Sequence, residues 1–323
     1  MPPKRGKSQQ AAGKNQKTES AAKQESQTKD EVKSTNGDTQ SKKRKTPSAS
    51  DEPQKSARRS ARSANKSQPS QQQLLNFMLT KDAEELCRPE DESADIQSRG
   101  NIKTYSGSVM SPFEELLCAV ILSRPISHRL GLRSIRTILN DPYNFTTPKA
   151  IQVAGQEKCH QALFDARTQH KAKTAEQIKL IADVVQEKFT AKGDGDGTQM
   201  QKLLDDAGGD VDKALDTLKA SIKGLGGTGL NIFLRRVQWL WENGYPYVDD
   251  KTSLSLRKLG LSEEAEDLRK VMEQHWSKLG TKHIAGKDEA AKKRRAFVVI
   301  LERAVGADLE GKVDDLIAAA ADA

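Results

Sequence analysis

Two features of the chain carry residue types at spacings suited to chemistry. Glycines stand at 224, 226, 227 and 229, and a carboxylate follows in Val248-Asp249-Asp250-Lys251. A glycine-rich turn feeding a helix leaves backbone N–H groups without intrahelical partners, so it can hold a phosphate with no side chain. Gly224, Leu225, Gly226, Gly227, Thr228 and Gly229 are the candidates for that contact, which would fix register without reading base sequence. An ordinary helix-helix connection is the alternative. A carboxylate in a water-poor cleft can stabilise a developing cation or orient an attacking water. Asp249 is the candidate for that role, and the alternative is a cap on a helix starting near Lys251.

Helices must position both features. Segments 211 to 221 and 228 to 241 flank the glycines, and Leu230, Phe233, Leu234, Val237 and Leu240 make one apolar stripe. Asn231, Arg235 and Gln238 occupy the other face, and Trp239 and Trp241 are expected in the core. Upstream, Ser111-Pro112-Phe113-Glu114 is a capping box with proline at the first helical position, continued by Leu116, Leu117, Val120 and Ile121. Leu132, Ile135, Ile138 and Leu139 form another stripe, stopped by Asn140-Asp141-Pro142. Ser262 precedes a helix carrying Ala265, Leu268, Met272 and Leu279, and Phe297 to Leu301 belong to a late one. Sustained period-two alternation is absent, so the expected class is all-α.

The stretch 222 to 261 resembles the helix-hairpin-helix DNA glycosylase superfamily, of which endonuclease III is the familiar member. Without gaps, Ile222 to Leu230 falls on the family's L-P-G-V-G-x-K-T-A, and Val248 to Leu261 on V-D-T-H-x-x-R-V-x-x-R-L-G-L. Ser111-Pro112-Phe113-Glu114 is similar to the S-P-F-E that opens the family's helical barrel. His170-Lys171-Ala172-Lys173 looks like the start of the family helix that faces the base pocket. The resemblance covers 111 to 261 and places Asp249 on the catalytic aspartate.

The departures bear on activity. Thr228 stands where bifunctional members have the lysine that forms a Schiff base, so strand nicking is not expected. The segment whose glutamine fills the gap left by a flipped base reads Ser123-Arg124-Pro125-Ile126, which makes Arg124, Pro125 and Ile126 the wedge candidates. Asp250-Lys251 replaces the motif's T-H. Arg235 and Lys258 are candidate phosphate contacts, with solvated charges as the alternative.

Residues 1 to 73 are rich in Lys, Ser, Gln, Thr and Ala and nearly devoid of large apolar side chains, a composition expected to be disordered. They hold 17 Lys+Arg against 7 Asp+Glu, so this tail accounts for the chain's net charge of +8. Such a tail attracts nucleic acid without regard to sequence. Lys42, Lys43, Arg44, Lys45, Arg58 and Arg59 have the spacing of a nuclear localisation signal, which implies a nuclear protein. Gln71, Leu74, Phe77 and Met78 are similar to the peptide that docks on the replication sliding clamp, the alternative being a first short helix packed on the domain. Secretory and membrane-spanning segments are not evident. Cys87, Cys118 and Cys159 are widely spaced, and none follows to build the iron-sulfur cluster carried by many endonuclease III-like enzymes. The five histidines lack metal-ligand spacing, so neither metal nor cofactor is expected.

The sequence therefore predicts an all-α, two-lobed helix-hairpin-helix glycosylase-like protein, monomeric on double-stranded DNA. Its parts are the tail 1–73, a linker and first helices of the second lobe at 74–110, the glycosylase-like domain at 111–261, and C-terminal helices completing the second lobe at 262–323. The leading function is monofunctional excision of a damaged or mispaired base. A non-catalytic DNA- or chromatin-binding protein of the same fold is the alternative, and an unrelated helical scaffold is a third. Pocket walls come from scattered positions, so the sequence does not specify the base.

Overall fold

In the computed structural model, residues 68–323 are described, and they form α-helices, short 3-10 and π turns and loops, with no strand among them. The candidate nuclear-signal residues Lys42 to Lys45, Arg58 and Arg59 and most of the basic tail lie outside the described residues. The first helices are α1 (Gln71–Met78), α2 (Lys81–Leu86) and α3 (Glu90–Arg99). Next come α4 (Pro112–Leu122), α5 (His128–Leu139), α6 (Pro148–Asp165) and α7 (Lys171–Val184). They are followed by α8 (Gln201–Asp206), α9 (Val211–Ser221), α10 (Gly227–Val237) and α11 (Asp250–Lys258), then α12 (Ala265–His275), α13 (Glu289–Glu310) and α14 (Val313–Asp322).

Helix α4 is the axis of the first core. The Ser111 hydroxyl accepts from the Glu114 N–H, and the Glu114 side chain accepts from the Ser111 N–H, which satisfies two end groups and fixes the helix start. Removing such a cap costs about 1 kcal/mol. Residues 112 to 121 are all buried, consistent with a helix packed on every side. Phe113, Leu117, Val120 and Ile121 meet Ile135 and Leu139 of α5, Ile178 and Ile181 of α7, and Phe233 and Val237 of α10 in one cluster. Each fully buried side chain of this size contributes about 1.5–3 kcal/mol.

A second core gathers chain from both sides of the first. Leu74, Leu75 and Met78 of α1 pack with Leu256 of α11, Leu268 and Met272 of α12, Phe297 and Leu301 of α13, and Leu316 of α14. The clamp-docking reading is corrected here. Leu74, Phe77 and Met78 are at most 7 % exposed, so they cannot form a plug on another protein while this core is intact. The other reading, a first helix packed on the domain, is the one observed. Its start is set by a Ser70–Gln73 capping box inside the expected tail boundary.

Charges tie further elements to this frame. Arg136 of α5 is 1 % exposed and donates to Asp91, Glu92 and Asp95 of α3 at 2.8, 2.9 and 2.9 Å. Helix α3 buries no large apolar side chain, so this three-carboxylate grip fastens it. Helices α10 and α13 also touch, one from each core.

Candidate functional site

The hairpin is built as its glycines require. The backbone turns at Gly224 with φ +85°, a conformation that favours glycine, while Gln177 of α7 donates to the Lys223 carbonyl at 3.2 Å. A Cβ on Gly229 would lie 2.9 Å from Leu225 and 3.4 Å from the Ser123 hydroxyl, so glycine lets α10 approach the end of α4. Gly226, Gly227 and Thr228 are exposed, and a Cβ at 226 or 227 would meet open space. No side chain caps α10, which leaves the first-turn N–H groups free to bind an acceptor.

Asp249 is the N-cap of α11. Its Oδ1 accepts from the N–H groups of Lys251 and Thr252 at 3.1 and 3.2 Å, and its Oδ2 from the Thr252 hydroxyl at 2.8 Å and Arg235 Nη1 at 2.9 Å. Burial opposes the charged form, but Arg235 and the Thr252 hydrogen bonds hold the carboxyl below its ordinary value. The group is therefore ionised at neutral pH and fixed in direction.

Arg235 corrects the expectation of a phosphate contact. It is 4 % exposed and spans two carboxylates, reaching Glu302 with Nε at 2.8 Å. Its neighbour Arg236 grips Glu115 of α4 through Nε and Nη2, both at 2.9 Å. The Arg236 guanidinium lies 4.3 Å from the centre of the Tyr105 ring. Two arginines on α10 thus join α4, α11 and α13 through buried charge. Burial disfavours ionisation of Glu302, and Arg235 and Arg236 more than offset it. Lys258 is half exposed but paired with Asp308, which Lys251 also reaches at 2.7 Å. Burial would raise the Asp308 carboxyl, and hydrogen bonds from Lys251, Lys258 and Ser255 instead hold it at about 2.

A cavity of about 400 Å³ opens beside this network, in the size range of small-ligand sites. Asp249, Asp250, Lys251, Arg235 and Glu302 line it, together with Thr228 and Asn231 from the start of α10. Leu122 and His128 also line it, and the wedge candidates Arg124, Pro125 and Ile126 form the turn between these two residues. Arg124 and Ile126 are partly buried and Pro125 is exposed. Burial lowers the pKa of His128, leaving a neutral imidazole at the rim. Cys87 sits in the wall as a protonated thiol, raised to about 11 mainly by burial.

Comparison with protein families, with curated proteins and with solved structures finds no match for this chain. The site therefore rests on its own geometry. The fold brings Asp249, Thr228 and the residues flanking the wedge turn, Leu122 and His128, around one cavity, leaves Arg124, Pro125 and Ile126 themselves out of its lining, and turns Arg235 inward.

Tyr105, His128, Glu302 and Arg303 also line the cavity and did not stand out in the sequence. Glu302 has a faint signal: it is acidic in the run Phe297 to Ala304, where most neighbours are apolar. No group of three or more His, Cys, Asp or Glu among the described residues is arranged to hold a metal.

Proposed function

We propose that the protein is a monofunctional DNA glycosylase of the helix-hairpin-helix kind, hydrolysing the N-glycosidic bond of a damaged or mispaired base. The observation that carries this reading is that an ionised Asp249 lines the same cavity as Thr228, at the N-terminus of the hairpin helix. In this scheme the hairpin amides hold a phosphate, the target nucleotide leaves the stack, and its base enters the cavity. Loss of the base leaves a cation-like sugar, whose charge the fixed carboxylate stabilises. Both Asp249 oxygens already accept hydrogen bonds, so its part is electrostatic rather than proton abstraction. Thr228 supplies no amine, which leaves the reaction at the abasic site. The two separate cores support the two-lobed architecture the resemblance implies. Nuclear import through Lys42 to Lys45 with Arg58 and Arg59, and action as a monomer, complete the proposal.

One observation favours a second reading. Arg235 at 2.9 Å partly neutralises Asp249, as a protein that binds DNA without cutting it would tolerate. The test is to incubate the full chain with duplexes carrying uracil, a thymine mismatch, 8-oxoguanine, an alkylated purine or an oxidised pyrimidine. Strand breakage is read before and after hot alkali, alongside Asp249→Asn. Alkali-dependent breakage lost in the variant is expected. Intact strands throughout, with DNA binding unaffected by the substitution, would replace excision by the non-catalytic reading.

A further inference from the structure

The carboxylates that line the cavity are not equally free to react. Asp249 accepts two hydrogen bonds at each oxygen, from Lys251 and Thr252 N–H groups at Oδ1 and from the Thr252 hydroxyl and Arg235 at Oδ2. Glu302 is held by Arg235 at 2.8 Å, with Arg236 beyond it at 3.7 Å. Asp250 lines the same cavity, is exposed, and has no side-chain hydrogen-bond or ion-pair partner among the described residues. The adjoining Lys251 does not neutralise it, because its amine turns to Asp308 at 2.7 Å. Asp250 is the first residue of α11, directly after the cap Asp249. Consecutive Cα atoms lie about 3.8 Å apart, so the chain itself keeps this open carboxylate beside the engaged one.

We propose that Asp250 is the proton acceptor of the excision reaction, while Asp249 serves only to stabilise the sugar cation. The inference rests on the glycosylase reading and divides its chemistry between two neighbouring carboxylates. The water oxygen bonds to C1′ as the C1′–N bond breaks, and that bond's electron pair leaves with the base, which takes a proton from solvent. The water's own proton passes to Asp250 and from there to solvent. A base must have an open lone pair for this transfer, which Asp250 has and Asp249 lacks. His128, from α5, is the competing acceptor, since burial keeps its imidazole neutral. Only Asp250 is tied by the chain to the carboxylate that faces the sugar. The plain alternative is an acid that merely complements the dipole at the start of α11.

The test measures single-turnover excision by the full chain on the duplex of the lesion panel that it cleaves, with Asp250→Ala, His128→Ala and Asp249→Asn beside it. Asp250→Ala should slow excision about a hundredfold without weakening duplex affinity, because it removes a negative charge from a surface that meets phosphates. Sodium azide is then added, an anionic nucleophile that attacks C1′ without losing a proton. It should restore the rate in Asp250→Ala and leave an azido sugar detectable by mass spectrometry, while Asp249→Asn stays inactive. A rate undiminished in Asp250→Ala, or a loss that azide does not restore, overturns the proposal, as does rescue confined to His128→Ala. If Asp250→Ala does not fold, Asp250→Asn, which keeps the side-chain shape, carries the same comparison. Excision that depends on Asp249 but not on Asp250 overturns this inference and leaves the glycosylase reading standing, whereas no excision by the unmodified protein overturns both.

Discussion

Arg235 Nη1 donates to Asp249 Oδ2 at 2.9 Å, and both residues are more than nine-tenths buried. This pair links the hairpin helix to the helix that Asp249 caps, so the two motifs legible in the sequence are one rigid unit. Removing one member of a buried pair leaves the other charge uncompensated. Arg235→Met is expected to destabilise the protein by about 3 kcal/mol, measured by urea unfolding. The salt dependence of DNA binding should not change in this variant at temperatures where it is folded. A shallower slope would instead return Arg235 to the phosphate contacts.

The two hairpin glycines with open space around them separate binding from folding. Gly226→Ala and Gly227→Ala should alter stability by less than about 0.5 kcal/mol, because an added Cβ meets nothing in the free protein. DNA affinity should still fall several-fold, and equally for all sequences, since a phosphate would approach that surface. Gly224→Ala behaves differently. Its φ of +85° costs an alanine about 1–2 kcal/mol, seen as a lower melting temperature before any DNA is added.

Thr228 offers a gain-of-function test. It lines the cavity with Asp249, and under the proposed function a lysine there would come within reach of the sugar. Thr228→Lys should yield a borohydride-trappable adduct with lesion-bearing DNA and strand breakage without alkali, neither of which the natural chain should give. An adduct absent from a folded, DNA-binding Thr228→Lys would mean that the sugar does not come to this end of α10.

Asp308 sets an acid limit on the second core. Its folded pKa of about 2 lies below the unfolded value of about 3.9. The stabilisation is therefore fully present above pH 4 and lost as pH falls from there towards 2. Asp308→Asn should unfold at lower denaturant than the natural chain at pH 7, with the gap narrowing below pH 4. A gap independent of pH would mean that hydrogen bonding by Asp308, rather than its charge, supplies the stability.

Deleting residues 1–67 removes 17 Lys+Arg and 7 Asp+Glu. Affinity for undamaged duplex should drop, and the slope of log affinity against log salt should become shallower. An unchanged slope would place the electrostatic contact on the helical part instead.

Local pattern alone was enough for several helices and for the two motifs, but not for α6, α8 or α14. The capping box at Ser111, the stripe from Leu230 to Val237, the stop at Asn140 and the cap at Asp249 are each written within a few neighbouring residues. Backbone hydrogen bonding is decided at that range. The glycine at 224 was likewise legible, because one turn demands it.

What the sequence could not decide is which charges face inward. Arg235, Arg236 and Arg136 look like solvated residues on polar helix faces. Each becomes buried only because carboxylates from distant segments, Glu302, Glu115 and the α3 triad, are delivered against it by packing. The same holds for Leu74, Phe77 and Met78, whose clamp-like pattern is an α1 face that needs Phe297 and Leu316 to cover it. Tyr105 and Arg303 stand 198 positions apart in the chain and meet at one wall only when both cores have formed. Burial and ion pairing are properties of tertiary neighbours, and no local period encodes them.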